Sequence, residues 1–221
     1  MERPALSPDL VTAYLGAVGW FEGILGRAEV GEAWARPSLL SDYTLGGLAA
    51  HAVHGVVWLE QLLKDTEPVG LRPVSVFEFF GLNRVEGDDT DPVAASLRSA
   101  AEAFALTGAD AVAAACTTSR DELVGRLDEA PSDRAVPVLR VAGGQVALCD
   151  YLRTRVLEVV VHGDDIVCSL PGLTSPDPPV RSMEVSLGVC LELARARVGD
   201  LGTLRGFART ERAVADPLRV L

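Results

Sequence analysis

The sequence predicts an all-α protein, a bundle of four main helices with one small β-hairpin, and three observations predict it. Apolar residues recur at helical spacing over several long stretches, and helix-start residues stand directly before most of them. Alternation of apolar and polar residues is confined to one short place, on either side of Gly143 and Gly144.

Ser7 followed by Pro8 marks an N-cap with proline at the first helical position. Leu10, Val11, Tyr14, Leu15, Val18, Phe21 and Leu25 keep helical spacing behind it, so a first helix is expected from 8 to about 27. A loop with Trp34, Pro37 and Ser38 leads to Thr44, the expected cap of a second helix from about 45 to 64. That helix carries His51, His54 and Trp58 near one face and Leu48, Ala52, Val56, Leu59 and Leu63 mostly on another.

Residues 66 to 91 hold prolines, glycines and the acidic run Glu86 to Asp89, and read as a long loop of a functional kind, with an apolar turn or short helix over Val74 to Leu82. Asp91 and Pro92 start a third helix through Phe104. Ser119 with Glu122 forms a capping-box pattern, from which a shorter helix is expected to about 128; the break near Gly108 has no assigned place. The hairpin is expected over Val138 to Leu148, feeding directly into a helix over Tyr151 to Leu170. After the turn-rich span Pro171 to Pro179, a last helix is expected from about 180 to 198, ending at Gly199, followed by a tail. Residues 1–170 are then expected to form the bundle, and 171–221 a C-terminal helix and tail packed on the same domain.

Composition excludes several function classes. At 221 residues and 48% hydrophobic, the chain can bury one core of useful size. The net charge of -11 argues against a nucleic-acid partner and against anionic lipid. No apolar run reaches the roughly 18 residues that a membrane span needs. Cys116, Cys149, Cys168 and Cys190 lie far apart with no C-x-x-C pair, which suits free thiols in a reducing, cytoplasmic setting. Monomer and homodimer remain equally open.

The Tyr151 to Leu170 helix carries the chemistry. Arg155, Glu158, His162 and Asp165 follow spacings of three, four and three, which puts all four on one face. Val156, Val159, Val160, Val161 and Ile166 flank that stripe, so the helix is expected to be buried and its charges to need partners. Glu158 and His162, one turn apart, either bond to each other or hold one metal ion between them. Histidine is scarce: His51 and His54, on the second helix, are the other two of three. One site between these two helices is therefore expected, with His51, Glu158 and His162 as ligands and a fourth position open to water or substrate. Zn2+ is the first expectation for the divalent metal, and Ni2+ or Fe2+ suits the same donors. Arg155, Asp165 and His54 are the candidate catalytic residues. Asp165 can accept a hydrogen bond from a ligand histidine, and Arg155 can balance charge or hold a substrate carboxylate, or the two form a plain salt bridge. His54 either lines the pocket or packs.

The pattern Trp34-x-x-Pro37-Ser38, Tyr43-Thr44 and Leu48-Ala49-Ala50-His51, followed by Arg155-x-x-Glu158-x-x-x-His162-Gly163-x-Asp165, resembles the DinB-like metal-binding domain of mycothiol-dependent maleylpyruvate isomerases. The resemblance spans about residues 8 to 170 and implies a DinB-like up-and-down four-helix bundle with His51, Glu158 and His162 as ligands. Where the wider superfamily often uses three histidines, Glu158 stands in the middle position, as in the mycothiol branch. The implied function is a metal-dependent isomerase or S-transferase that activates mycothiol, as cosubstrate, for attack on an electrophilic small molecule. A metal-dependent hydrolase or lyase acting through water, and a non-catalytic metal- or ligand-binding module, remain the alternatives.

Overall fold

A computed structural model describes residues 3–80 and 92–208. Among them the chain is helical, in the order α1 (Pro8–Leu25), α2 (Ala28–Glu32), α3 (Leu45–Lys64), β1 (Arg72–Pro73), α4 (Val76–Phe80), α5 (Pro92–Ala105), α6 (Ala109–Glu129), β2 (Ala135–Pro137), β3 (Gly144–Ala147), α7 (Leu148–Ser169) and α8 (Val180–Ala208). This is the all-α, DinB-like bundle that the sequence predicts. Four long helices close it: α1 packs on α6 and α7, and α3 packs on the same two. α5 lies along α3, and α8 lies along α7 and α1. No described helix is long and apolar enough to cross a membrane.

Each bundle helix turns its apolar stripe inward. In α1, Val11, Tyr14, Val18, Phe21 and Leu25 are buried at the spacing the sequence shows. A fully buried Leu, Ile or Phe contributes about 2 kcal/mol relative to leaving it in water, so these stripes dominate the assembly. Thr44 caps α3, its Oγ1 accepting from the Gly47 amide at 2.8 Å. Glu102 of α5 strengthens that end, accepting from the Thr44 amide at 2.8 Å and from its hydroxyl at 2.9 Å, so an acid stands at the positive end of the helix that carries His51.

Several local expectations need correction. Ser119 does not start a helix: α6 runs unbroken through it from Ala109, and the buried Ser119 hydroxyl donates to Glu60 Oε2 of α3 at 2.7 Å. A serine with a tertiary acceptor mimics a capping box. The break near Gly108 is the junction of α5 and α6, where Gly108 has φ 97°. The hairpin lies earlier in the chain than expected. Its first strand is β2, Val138 to Gly143 form the connection, and α7 begins at Leu148 rather than Tyr151. The long loop also supplies β1, which pairs in parallel with β3 and completes a three-stranded sheet in the order β1-β3-β2. α8 breaks at Gly199, where φ is 74° and only glycine is unstrained, but helix resumes through Ala208. The acidic run at 86–89 and the tail beyond 208 lie outside the described residues.

Candidate metal centre and adjoining cavity

α7 presents Glu158 and His162 one turn apart, and α3 brings His51 to them from the opposite helix. One ligand atom from each of His51, Glu158 and His162 lies within 4.8 Å of the others. The imidazoles of His51 and His162 meet edge to face with ring centres 5.2 Å apart, and Tyr43 leans on His51 at 5.5 Å.

Hydrogen bonds orient the cluster. His162 Nδ1 lies 3.2 Å from Asp165 Oδ2, and its Nε2 lies 3.1 Å from Glu158 Oε2. Burial would lower the pKa of His162, but its bonds to Asp165 and Glu158 outweigh this and raise it to about 9. Glu158 is the mirror case: burial favours its neutral form, yet the bond from His162 and the charge of Arg155 take it down to about 2. His51, desolvated and facing His162, falls to about 4 and is neutral at pH 7. A proton on His162 therefore bridges two carboxylates where a cation would be favoured. The donors fit a divalent metal: a neutral imidazole, an ionised carboxylate, and a second imidazole whose Nδ1 is held by Asp165, leaving Nε2 for the ion.

A cavity of about 350 Å3 adjoins the cluster, with His51 and Glu158 in its wall. Arg155, at its edge, is 3.8 Å from Glu158 Oε1 and lies over the rings of Tyr151 at 4.9 Å and Phe79 at 5.5 Å. It thus balances Glu158 and stacks on aromatic faces. Asp165 stands on the far side of His162, so the two charges do not pair with each other in the distances observed. His54 is not part of the three-residue cluster. It lines the cavity, and its ring meets Phe104 edge-on at 6.2 Å.

Two wall residues, Tyr14 on α1 and Tyr151 on α7, carry no signal in the sequence that separates them from ordinary core. Phe79 and Phe80 on α4 carry one hint, since a loop that places two phenylalanines together needs something to cover.

No curated protein and no solved structure matches the chain. A family does, over residues 21–167, a span that holds His51, Glu158 and His162 as well as Arg155 and Asp165. The chain belongs to the family of the mycothiol maleylpyruvate isomerase N-terminal domain.

Proposed function

We propose that the protein is a metal-dependent enzyme of the isomerase or S-transferase type, which uses mycothiol as cosubstrate against an electrophilic small molecule. The observation that carries this reading is the convergence of His51, Glu158 and His162 within 4.8 Å beside a cavity, in a chain of the mycothiol family. His51, Glu158 and His162 would hold a divalent cation, Zn2+ first among the candidates, which would supply the Lewis acidity that lowers a thiol's pKa towards neutrality.

The chain's own residues do the rest. Asp165 accepts a hydrogen bond from Nδ1–H of His162 and so fixes the tautomer that leaves Nε2 for the metal. Two neutral imidazoles and one carboxylate leave net positive charge at the centre, which suits an anionic sulfur. Arg155 offsets the Glu158 charge and, after the bond from His162, helps keep the carboxylate ionised. The aromatic wall keeps water away from the reacting partners, which strengthens electrostatic interactions there. A reduced thiol cosubstrate also fits a cytoplasmic setting.

Calorimetry of the zinc-loaded protein with mycothiol, in buffers of different ionisation enthalpy, tests this. A thiol with a solution pKa near 8.5 is mostly protonated at pH 7, so binding should release close to one proton. His51→Ala should abolish both metal uptake and thiol binding. Thiol binding without proton release, or no binding to the loaded protein, overturns the thiol reading in favour of water-based hydrolysis or a binding module.

A further inference from the structure

The apolar surface that the fold leaves uncovered is concentrated on α8. Among the described residues, six of the twelve exposed large apolar side chains stand on it: Val180, Leu187, Leu191, Leu201, Leu204 and Phe207. Half of such residues on one helix is not the single scatter of an ordinary monomer surface. The opposite face of α8 is already occupied, since Val189, Leu193 and Ala194 are buried with Leu157 of α7 against Phe77 and Phe80 of α4. The outer face therefore takes no part in holding the bundle together.

Helical spacing puts Val180, Glu184, Leu187, Gly188, Leu191 and Arg195 on one stripe of that outer face. Leu187 is 61% exposed and Leu191 is 42% exposed. Beside them stands Gly188, where a Cβ would meet nothing within 4 Å. A glycine inside a helix weakens it, and no described neighbour uses the space this one leaves. It is a shallow recess in an apolar stripe, open to a side chain from outside.

The charges of the stripe select what enters. When a second α8 is laid antiparallel on the first, Leu191 of each copy can fill the Gly188 recess of the other. The same register sets Glu184 of each copy against Arg195 of the other, because Glu184 precedes Gly188 by one turn and Arg195 follows Leu191 by one turn. Every contact then occurs twice about a two-fold axis, and no like charges of the stripe face one another. In the single chain Glu184 pairs with Arg181 at 2.9 Å and Arg195 with Asp200 at 2.7 Å. All four side chains are more than half exposed, so exchanging these pairs for new ones costs little.

We propose that the outer face of α8 is the contact surface of a homodimer, in which two copies of the chain pair antiparallel over residues 180–195. Leu191 seats on Gly188 of the second copy, and Glu184 pairs with Arg195 of the second copy. A standard interface buries about 800 Å2 on each partner, more than one helix pair covers, so the dimer is a micromolar one that forms and separates with concentration. It is independent of the thiol reading.

Sedimentation equilibrium of the full chain from about 1 to about 200 µM spans the affinity of such a dimer. At about 0.15 M salt a screening length of about 8 Å removes most of the repulsion between two chains of net charge -11. Wild type should show a monomer–dimer equilibrium with a micromolar Kd. Leu191→Asp should weaken it by about a hundredfold, since it sets two charges in an apolar centre. Glu184→Arg and Arg195→Glu should each weaken it about tenfold by placing like charges together twice, and the double variant should return to within about threefold of wild type. Far-ultraviolet circular dichroism should be that of wild type in all of them, because the altered side chains are exposed. Gly188→Ala should raise the melting temperature of the monomer and yet weaken association, a pairing that misfolding cannot produce. A wild-type chain monomeric throughout, a dimer that survives Leu191→Asp, or a double variant no tighter than the single ones each overturns the assignment. The first of these would leave the face to a different partner protein.

Discussion

His162 shows how much a single side chain is asked to do. Between Asp165 and Glu158 it is protonated in the metal-free protein, with its pKa raised to about 9, whereas His51 at about 4 is already neutral and Glu158 at about 2 already ionised. A metal ion must therefore displace one proton, and that proton comes from His162. Metal uptake at pH 7 should release close to one proton per ion, and affinity should fall by about tenfold per pH unit as pH drops below 9. Calorimetry in two buffers reads the count, and a count of zero would mean that His162 is not a ligand. Asp165→Asn separates the two roles of that carboxylate. It should lower the proton count at pH 7, because a cause of the raised pKa is gone, and above pH 9, where proton competition has ended, it should still weaken metal by about tenfold or more. Unchanged affinity above pH 9 would reduce Asp165 to an ordinary ion pair.

Among the elements, α7 depends on how closely α1 can approach it. Gly163, next to His162, faces the Trp20 ring, and a Cβ built there would overlap it. Trp20 cannot easily swing away, since its Nε1 donates to the Pro176 carbonyl at 2.7 Å. Alanine would gain about 1 kcal/mol of helix propensity, but overpacking costs about 1–3 kcal/mol, and with ring atoms that close the second effect should win. Gly163→Ala should therefore destabilise the protein and, by shifting α7 beside a ligand, weaken metal binding. Gly125 of α6 is the control, because a Cβ there meets nothing within 4 Å. Gly125→Ala should stabilise by up to about 1 kcal/mol in a denaturant melt. A Gly163→Ala variant as stable as Gly125→Ala would show that the α1–α7 contact has room to give.

For the whole molecule, the cluster is an addition to a core that stands without it. Tyr14, Phe21, Leu48, Leu59, Leu123, Leu152 and Ile166 are all fully buried, across the four bundle helices. Removing metal should cost a few kcal/mol at most and leave one cooperative thermal transition, unlike a zinc finger. Loss of that transition in the metal-free protein would make the ion structural. The sequence by itself determined where most of the long helices run and which residues are candidate ligands. Helical period is local, the Thr44 cap is local, and Glu158 and His162 meet through one turn of a single helix, so His51 needed only one packing contact to join them. Tertiary structure alone decided that Ser119 bonds to Glu60 within an unbroken helix, that β1 joins β3, and that Phe79 and Phe80 close over α7. It alone decided that Tyr14 borders a cavity, although in sequence it is one more apolar-stripe residue of α1. A period says which way a side chain faces, but a cavity is space that helices distant in sequence leave unfilled, and no residue encodes that by itself.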